Sequence, residues 1–214
     1  MTENGLTTQL SERGADALRE LFNIGAGNAA TALSGMLGKE RVHVEVPIVK
    51  YIPTSRIGEV LGDEQQVYFA VGFTISGGFD AYLLVLFEEG SARRLAAVLL
   101  GRPVPPDSEH APLDSAARSA LDETGNIVAS SFASGLGRLT RRRILPSVPF
   151  SGIDHAAMAV DRVLGAMGMA SDESIVCRTD FTTRGTRIQG HLLLLPDRQS
   201  LAGILTALGV DQTT

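Results

Sequence analysis

Two short polar motifs in this sequence have residue types and a spacing that suit chemistry. Each places an acidic residue and an asparagine three positions apart, Glu20 with Asn23 and Glu123 with Asn126. At ~100° per residue, the two side chains of a pair lie on the same face of a helix. The asparagine amide cannot ionise but can orient a water molecule or a substrate, and no base-activated serine or cysteine lies beside either pair. Each pair would therefore have to complete the active site of another protein.

Small side chains surround each pair on the same helical face. Asp16 and Gly27 flank the first pair, and Ser119 and Ser130 flank the second. A solvated helix face normally favours Lys, Glu, Gln and Arg. We therefore expect Asp16, Gly27, Ser119 and Ser130 to form flat docking stripes on which another macromolecule can lie. Further small residues on these faces are Ala30, Ser34, Ala133 and Gly137.

The two motifs belong to an internal repeat. Residues 16–33 and 119–136 share the pattern [D/S]-A-L-x-E-x-x-N-I, followed by a leucine ten positions after the asparagine, at an offset of 103 residues (119 minus 16). Further along, the apolar runs Leu84–Phe87 and Leu192–Leu195 align at an offset of 108 residues (192 minus 84). Each half therefore predicts a helix, then strands, then a closing helix.

A proline-rich connector separates the two halves. Residues 102–112 contain four prolines, which exclude a continuous helix or an inner strand. Repeat one spans about residues 14–101, and repeat two spans about residues 113–209. Because neither half looks self-sufficient, we expect one pseudo-twofold-symmetric α/β (α+β) domain over residues 1–214, with two long motif-bearing helices packed on a β-sheet.

Composition excludes several classes of function. The chain has 214 residues, and no apolar run approaches the ~20 residues that cross a bilayer, so we expect no membrane insertion. The first residues show no signal peptide, which predicts a cytoplasmic protein. A net charge of −5 and the lack of tryptophan make nucleic acid a poor partner. One cysteine and four scattered histidines predict no metal site.

The duplicated motif resembles that of the CheC, CheX and FliY phosphatases of bacterial and archaeal chemotaxis. The resemblance rests on the repeated E-x-x-N and on the sequence N-I-G-A-G-N-A-A-T-A-L at residues 23–33, and it covers roughly residues 14–209. Those proteins remove the aspartyl phosphate of the response regulator CheY. Two complete motifs favour CheC over the single-site CheX.

The resemblance implies a role for each motif residue. Glu20 and Glu123 would pair with the regulator's active-site lysine, while Asn23 and Asn126 would enter its phosphorylation site and align water for in-line attack. The regulator would supply Mg²⁺, and the chain would need no cofactor of its own. CheD is a further possible partner, without assigned residues. The alternative is a non-catalytic adaptor that binds or sequesters phosphorylated CheY or CheD.

Other patterns have structural as well as functional interpretations. The segment Gly25–Ala30 matches G-x-G-x-x-A, but an amphipathic helix precedes it rather than a strand, which argues against NAD binding. The asparagines could instead be buried and tie the two helices together. The basic run Arg138–Arg143 could attract an acidic partner or complement a helix dipole. Met158 is expected in the core, and Cys177 in a strand as a buried apolar residue.

Overall fold

The computed structural model describes residues 12–37, 41–61, 66–106, 112–155, 158, 160–161, 173–183 and 185–207. Its helices are α1 (Glu12–Met36), α2 (Ile57–Leu61), α3 (Glu89–Leu99), α4 (Ser115–Thr140) and α5 (Arg198–Ala207). Its strands are β1 (His43–Pro53), β2 (Val67–Ser76), β3 (Ala81–Glu88), β4 (Leu145–Pro146), β5 (Phe150–His155), β6 (Glu173–Thr183) and β7 (Thr186–Pro196). The described parts of the connector, residues 102–106 and 112, are neither helix nor strand, whereas residues 107–111 lie outside the described ranges.

The strands form one antiparallel sheet whose strand order is symmetric about its centre. The order is β1-β6-β7-β3-β2-β4, and β5 also pairs with β2. With β5 in place of β4 beside β2, exchanging β1 with β5, β2 with β6 and β3 with β7 gives the same order read backwards. Strands β3 and β7 meet at the centre, where Leu84 pairs with Leu193. Two repeats related by a twofold axis between these strands would give this order, and the predicted mixed fold with two long helices on a sheet is confirmed.

The central strands of the sheet are buried on both faces. On one face, α1, α3, α4 and α5 cover the main core, with residues such as Leu21, Phe73 and Leu136 each at most 3% exposed. On the other face, Ile57 and Leu61 of α2 pack with a second apolar cluster of strand residues. The central strands are consequently apolar on both sides, and β3 is buried from Ala81 to Phe87.

The structure corrects the alignment of the two central strands. The offset of 108 residues equates Leu84 with Leu192, but these residues lie on opposite faces of the sheet. Leu84 packs in the cluster under α2, whereas Leu192 packs in the main core. Successive side chains in a strand alternate between faces, so the alignment is wrong by an odd number of residues.

The structure contradicts two further predictions and confirms a third. Met158 is 54% exposed rather than in the core. Ala133 is 1% exposed, because it faces the core instead of continuing the exposed stripe of α4. Cys177 lies in β6 and is fully buried, as predicted. No helix among the residues that the structure describes is long and apolar enough to cross a membrane.

Candidate functional site

The two motif-bearing helices pack directly against each other. The rings of Phe22 in α1 and Phe132 in α4 lie 5.1 Å apart between centroids. A Cβ atom added to Gly25 would lie 3.3 Å from the Cα atom of Phe132, and one added to Gly135 would lie 3.3 Å from Ile24. Glycine therefore allows the close approach of the helices. This packing accounts for Gly25 without a bound dinucleotide, since Gly25 lies inside one continuous helix.

The first motif lies on the solvent-facing side of α1. Glu20 and Asn23 are both exposed, and neither forms a hydrogen bond or ion pair with the described part of the chain. Asp16 is exposed as well, and its carboxylate accepts a hydrogen bond of 2.7 Å from Arg19. Gly27 is exposed, with nothing within 4 Å of the position that a Cβ would take. Both motif side chains are therefore available to a partner.

The second motif lies on the solvent-facing side of α4. Glu123, Ser119 and Ser130 are exposed, and Asn126 is half-buried. The structure thus brings each acid and its asparagine onto one helical face, with the predicted flanking residues along the same stripe. The exposure of Asn23 also argues against the alternative in which both asparagines are buried to tie the helices together.

The residue before each asparagine has a different structural task in the two helices. Phe22 is 2% exposed and fills the space between α1 and α4. At the corresponding position in α4, a Cβ added to Gly125 would lie 2.8 Å from side-chain atoms of Val71 in β2. Glycine lets α4 lie directly on the sheet there, which accounts for the deeper position of Asn126. The two sites therefore share their exposed chemistry and differ in what supports it.

Both ends of α4 are capped by residues outside the motif. At the start, the Asp114 carboxylate accepts a 2.7 Å hydrogen bond from the Ala117 backbone N–H and a 2.8 Å bond from Arg102. Both hydrogen bonds lower the pKa of the Asp114 carboxyl, and the bond from Ala117 has the larger effect. At the end, Arg141 adopts a left-handed conformation with φ of 55° and caps the helix. These caps fix where the second motif begins and where its helix stops.

A feature that sequence reasoning missed lies beyond the second motif. A groove of about 490 Å³ follows the last turns of α4 towards β4, and it is lined in part by Ser130, Arg138 and Arg143. Ser130 belongs to the predicted docking stripe, so the groove continues from the second site. The basic run gave a signal in the sequence, but its position beside the stripe depends on the turn that follows α4.

Neither a metal-binding cluster nor a reactive cysteine is present among the described residues. No group of three or more His, Cys, Asp or Glu residues among them could hold a metal ion. Cys177 is buried in the sheet, and burial raises the pKa of its thiol, which disfavours the nucleophilic thiolate. What the motif surfaces offer is an exposed carboxylate and an exposed or half-buried carboxamide on each helix.

Comparison with known proteins points to one group. The model of the CheC-like family matches residues 14–51 and 117–153, which include both motifs. The chain is 27% identical to the CheY-P phosphatase CheC of Bacillus subtilis over 94% of this chain and 96% of that protein. The structure resembles FliY of Thermotoga maritima with a TM-score of 0.72 at 18% identity, over 94% of this chain and 98% of that chain. It also resembles a chain of the CheX–CheY–BeF3–Mg²⁺ complex of Borrelia burgdorferi with a TM-score of 0.50 at 17% identity, over 84% and 97% of the respective chains.

Proposed function

We propose that this chain is a member of the CheC-like family and hydrolyses the aspartyl phosphate of the response regulator CheY. The observation that carries the proposal is the placement of Glu20 with Asn23 and of Glu123 with Asn126 on the outer faces of two packed helices. Each pair is accessible to a macromolecule and lies beside small residues. A relative named CheY-P phosphatase and a similar fold in a complex with CheY support the same partner.

The chemistry follows from what the side chains can do. In the proposed reaction, Asn23 or Asn126 holds a water molecule in line with the phosphorus atom of the regulator's phosphoaspartate. Phosphoryl transfer depends mainly on positioning and on stabilising charge, so an amide that orients water is sufficient for a large effect. Binding the water in advance also lowers the entropic barrier.

The glutamates serve to fix the partner. Glu20 and Glu123 are exposed carboxylates, one helical turn before the asparagines, and each can form an ion pair with a lysine at the edge of the regulator's site. Such a pair would set the depth at which the asparagine enters. The proposal assigns the phosphoaspartate and Mg²⁺ to the regulator, and the water-orienting amide and the docking carboxylate to this chain.

The test is the decay of phosphorylated CheY with substoichiometric amounts of this protein in the presence of Mg²⁺. We expect faster decay, and we expect Asn23→Ala together with Asn126→Ala to abolish the acceleration. By analogy with removal of one preorganised hydrogen-bond donor, each site should lose roughly 100- to 1,000-fold in rate. Asn28→Ala is the matched control, because Asn28 lies in α1 outside the E-x-x-N pair. Its rate should stay close to that of the unmodified protein.

The possible outcomes separate the catalytic role from an adaptor role. Acceleration that survives in the double variant would show that the assigned asparagines are wrong. Binding of phosphorylated CheY without turnover at substoichiometric protein would instead identify a sequestering adaptor. Addition of CheD to the same assay tests whether that protein changes the rate.

A further inference from the structure

The end of α4 carries a positively charged groove, and the corresponding positions of the first repeat lack its charge in the sequence. We define the basic groove by a floor of Ser130, Ala133 and Gly137 and a rim of Arg138, Arg142 and Arg143. We propose that the basic groove is the docking surface for the anionic rim of the phosphorylated regulator and that it serves the second site alone. This inference rests on the proposed function.

The basic groove is continuous with the second motif. Ser130 lies one helical turn beyond Asn126 on the same face of α4, and it forms both the end of the docking stripe and the start of the groove. A partner whose phosphoaspartate lies at Asn126 would therefore extend over the groove as well. The adjoining segment also exposes apolar side chains, with Leu145 at 50% and Val148 at 85% exposure. Arginine is enriched at protein interfaces, and exposed apolar side chains beside it offer area that a partner can bury.

One arginine of the rim, Arg142, is held in place before any partner binds. The Arg142 guanidinium donates a 3.0 Å hydrogen bond to the Gly78 carbonyl and lies 4.9 Å from the centre of the Phe79 ring. The Arg142 backbone N–H donates to the Gly137 carbonyl at 3.0 Å. Gly77 has φ of 109°, and a Cβ there would clash with the Arg143 carbonyl oxygen, so the β2–β3 turn is shaped to receive this loop. The preorganised Arg142 and the loop that carries it lose little conformational entropy on binding.

The charge of the rim is free to act on a partner. Arg138 and Arg143 are exposed, and no carboxylate within the described ranges forms an ion pair with any of the three rim arginines. The chain as a whole carries a net charge of −5, so this local excess of positive charge runs against the overall balance. Mg²⁺ beside a phosphoaspartate is held by one or two carboxylates and by phosphate oxygens, so the partner's site presents anionic groups. The two surfaces are therefore complementary in charge.

The first repeat lacks this charge in its sequence. At the offset of 103 residues, Arg138 corresponds to Gly35, and positions 141–143 correspond to Gly38, Lys39 and Glu40. Positions 138 and 141–143 of the second repeat thus carry four positive charges, whereas the corresponding positions of the first repeat carry a net charge of zero. The two sites should consequently differ in affinity for an anionic partner even though their catalytic residues are the same.

The experiment compares the two sites separately. Asn23→Ala leaves only the second site active, and Asn126→Ala leaves only the first. In each background, Arg138→Glu with Arg143→Glu is assayed for KM and kcat on phosphorylated CheY and for Kd on CheY activated with beryllofluoride and Mg²⁺. We expect KM and Kd of the second site to rise roughly tenfold, with kcat at saturation unchanged and the first site unaffected, because exposed charges govern association more than the chemical step.

Matched variants keep the test decisive. Lys50→Glu with Arg56→Glu changes the net charge equally, near the opposite edge of the sheet, and should leave both sites unchanged. Arg138→Gln with Arg143→Gln should give a smaller rise, of roughly threefold, because it removes two charges without reversing them. An unchanged kcat at saturation excludes a folding defect as the cause. Equal rises at both sites, or no rise at the second, would overturn the groove proposal while leaving the phosphatase proposal intact. Binding without turnover would overturn the phosphatase proposal alone, since Kd still reports on the groove, and absence of binding would overturn both.

Discussion

The two motif-bearing helices carry the same acid and asparagine on their outer faces, but different residues pack beneath each motif. Helix α1 packs mainly against α4 and the edge strand β1, whereas α4 also packs against β2, β3, β4, α3 and α5. At the position before the asparagine, α1 carries Phe22 as a core residue, and α4 carries Gly125 to lie on Val71. A duplicated sequence can therefore keep its surface chemistry while the residues beneath it adapt to each location. The difference lies in support and in neighbouring charge, whereas the acid and the asparagine of each motif are the same.

The largest expected effect comes from removing the aromatic contact that joins the helices. Phe22→Ala should lower the free energy of unfolding by about 3–5 kcal/mol, because the ring is buried and leaves a cavity beside Phe132. Denaturant unfolding followed by circular dichroism measures this loss. The matched control is Phe150→Ala, where the side chain is 41% exposed, and its loss should be clearly smaller. Equal losses at both positions would show that the helix contact contributes little.

Acidification should lower the free energy of unfolding, because it protonates a buried histidine in the sheet that supports both sites. His191 in β7 lies on the sheet face opposite α1 and α4, and burial, followed by the nearby Arg178, lowers its pKa to about 4. The folded state then binds fewer protons than the unfolded state between the ordinary pKa of His and that value. Stability is therefore complete above pH ~6.5 and falls as the pH drops towards 4, by about 3 kcal/mol for this group.

Comparison with a variant isolates the histidine contribution. His191→Gln should remove this part of the pH dependence, as measured by unfolding at several pH values between 4.5 and 8. Burial raises the pKa of the neighbouring Glu88 carboxyl, which contributes in the opposite direction. The Glu88 contribution is present in both proteins and cancels in the difference. An unchanged slope in the variant would contradict the assignment to His191.

Sequence reasoning was sufficient for features with a regular spacing and failed where two distant segments meet. The helical period placed Glu20 and Asn23 on one face, and their exposure confirms that inference. It could not align β3 with β7, because strands buried on both faces lack the alternation of polar and apolar residues that fixes register. The basic groove was equally hidden, since its rim depends on Arg142 contacting Gly78, 64 positions earlier in the chain.

A substitution of Gly125 tests whether close packing of α4 on the sheet supports the second site. Gly125→Ala should destabilise the protein by about 1–3 kcal/mol, because the added Cβ would lie 2.8 Å from Val71 and α4 must shift away from β2. The shift should also lower turnover by the second site, as assayed in the Asn23→Ala background. Val71→Ala in the same protein is the informative second change. It should recover part of the Gly125→Ala loss by making room, and a purely additive result would contradict steric contact as the cause.

The smallest expected effect has the opposite sign and comes from a glycine of the first site. A Cβ at Gly27 would meet nothing within 4 Å, and the residue lies inside the continuous helix α1. Gly27→Ala should therefore raise the free energy of unfolding by about 0.5–1 kcal/mol, because alanine loses less backbone freedom in a helix. Thermal unfolding at fixed pH measures the shift against Gly125→Ala. If the added methyl group also raises KM in the Asn126→Ala background, then Gly27 lies in the contact with the partner. An unchanged KM would place the partner's edge before this turn of α1, so that only Asp16, Glu20 and Asn23 remain beneath it.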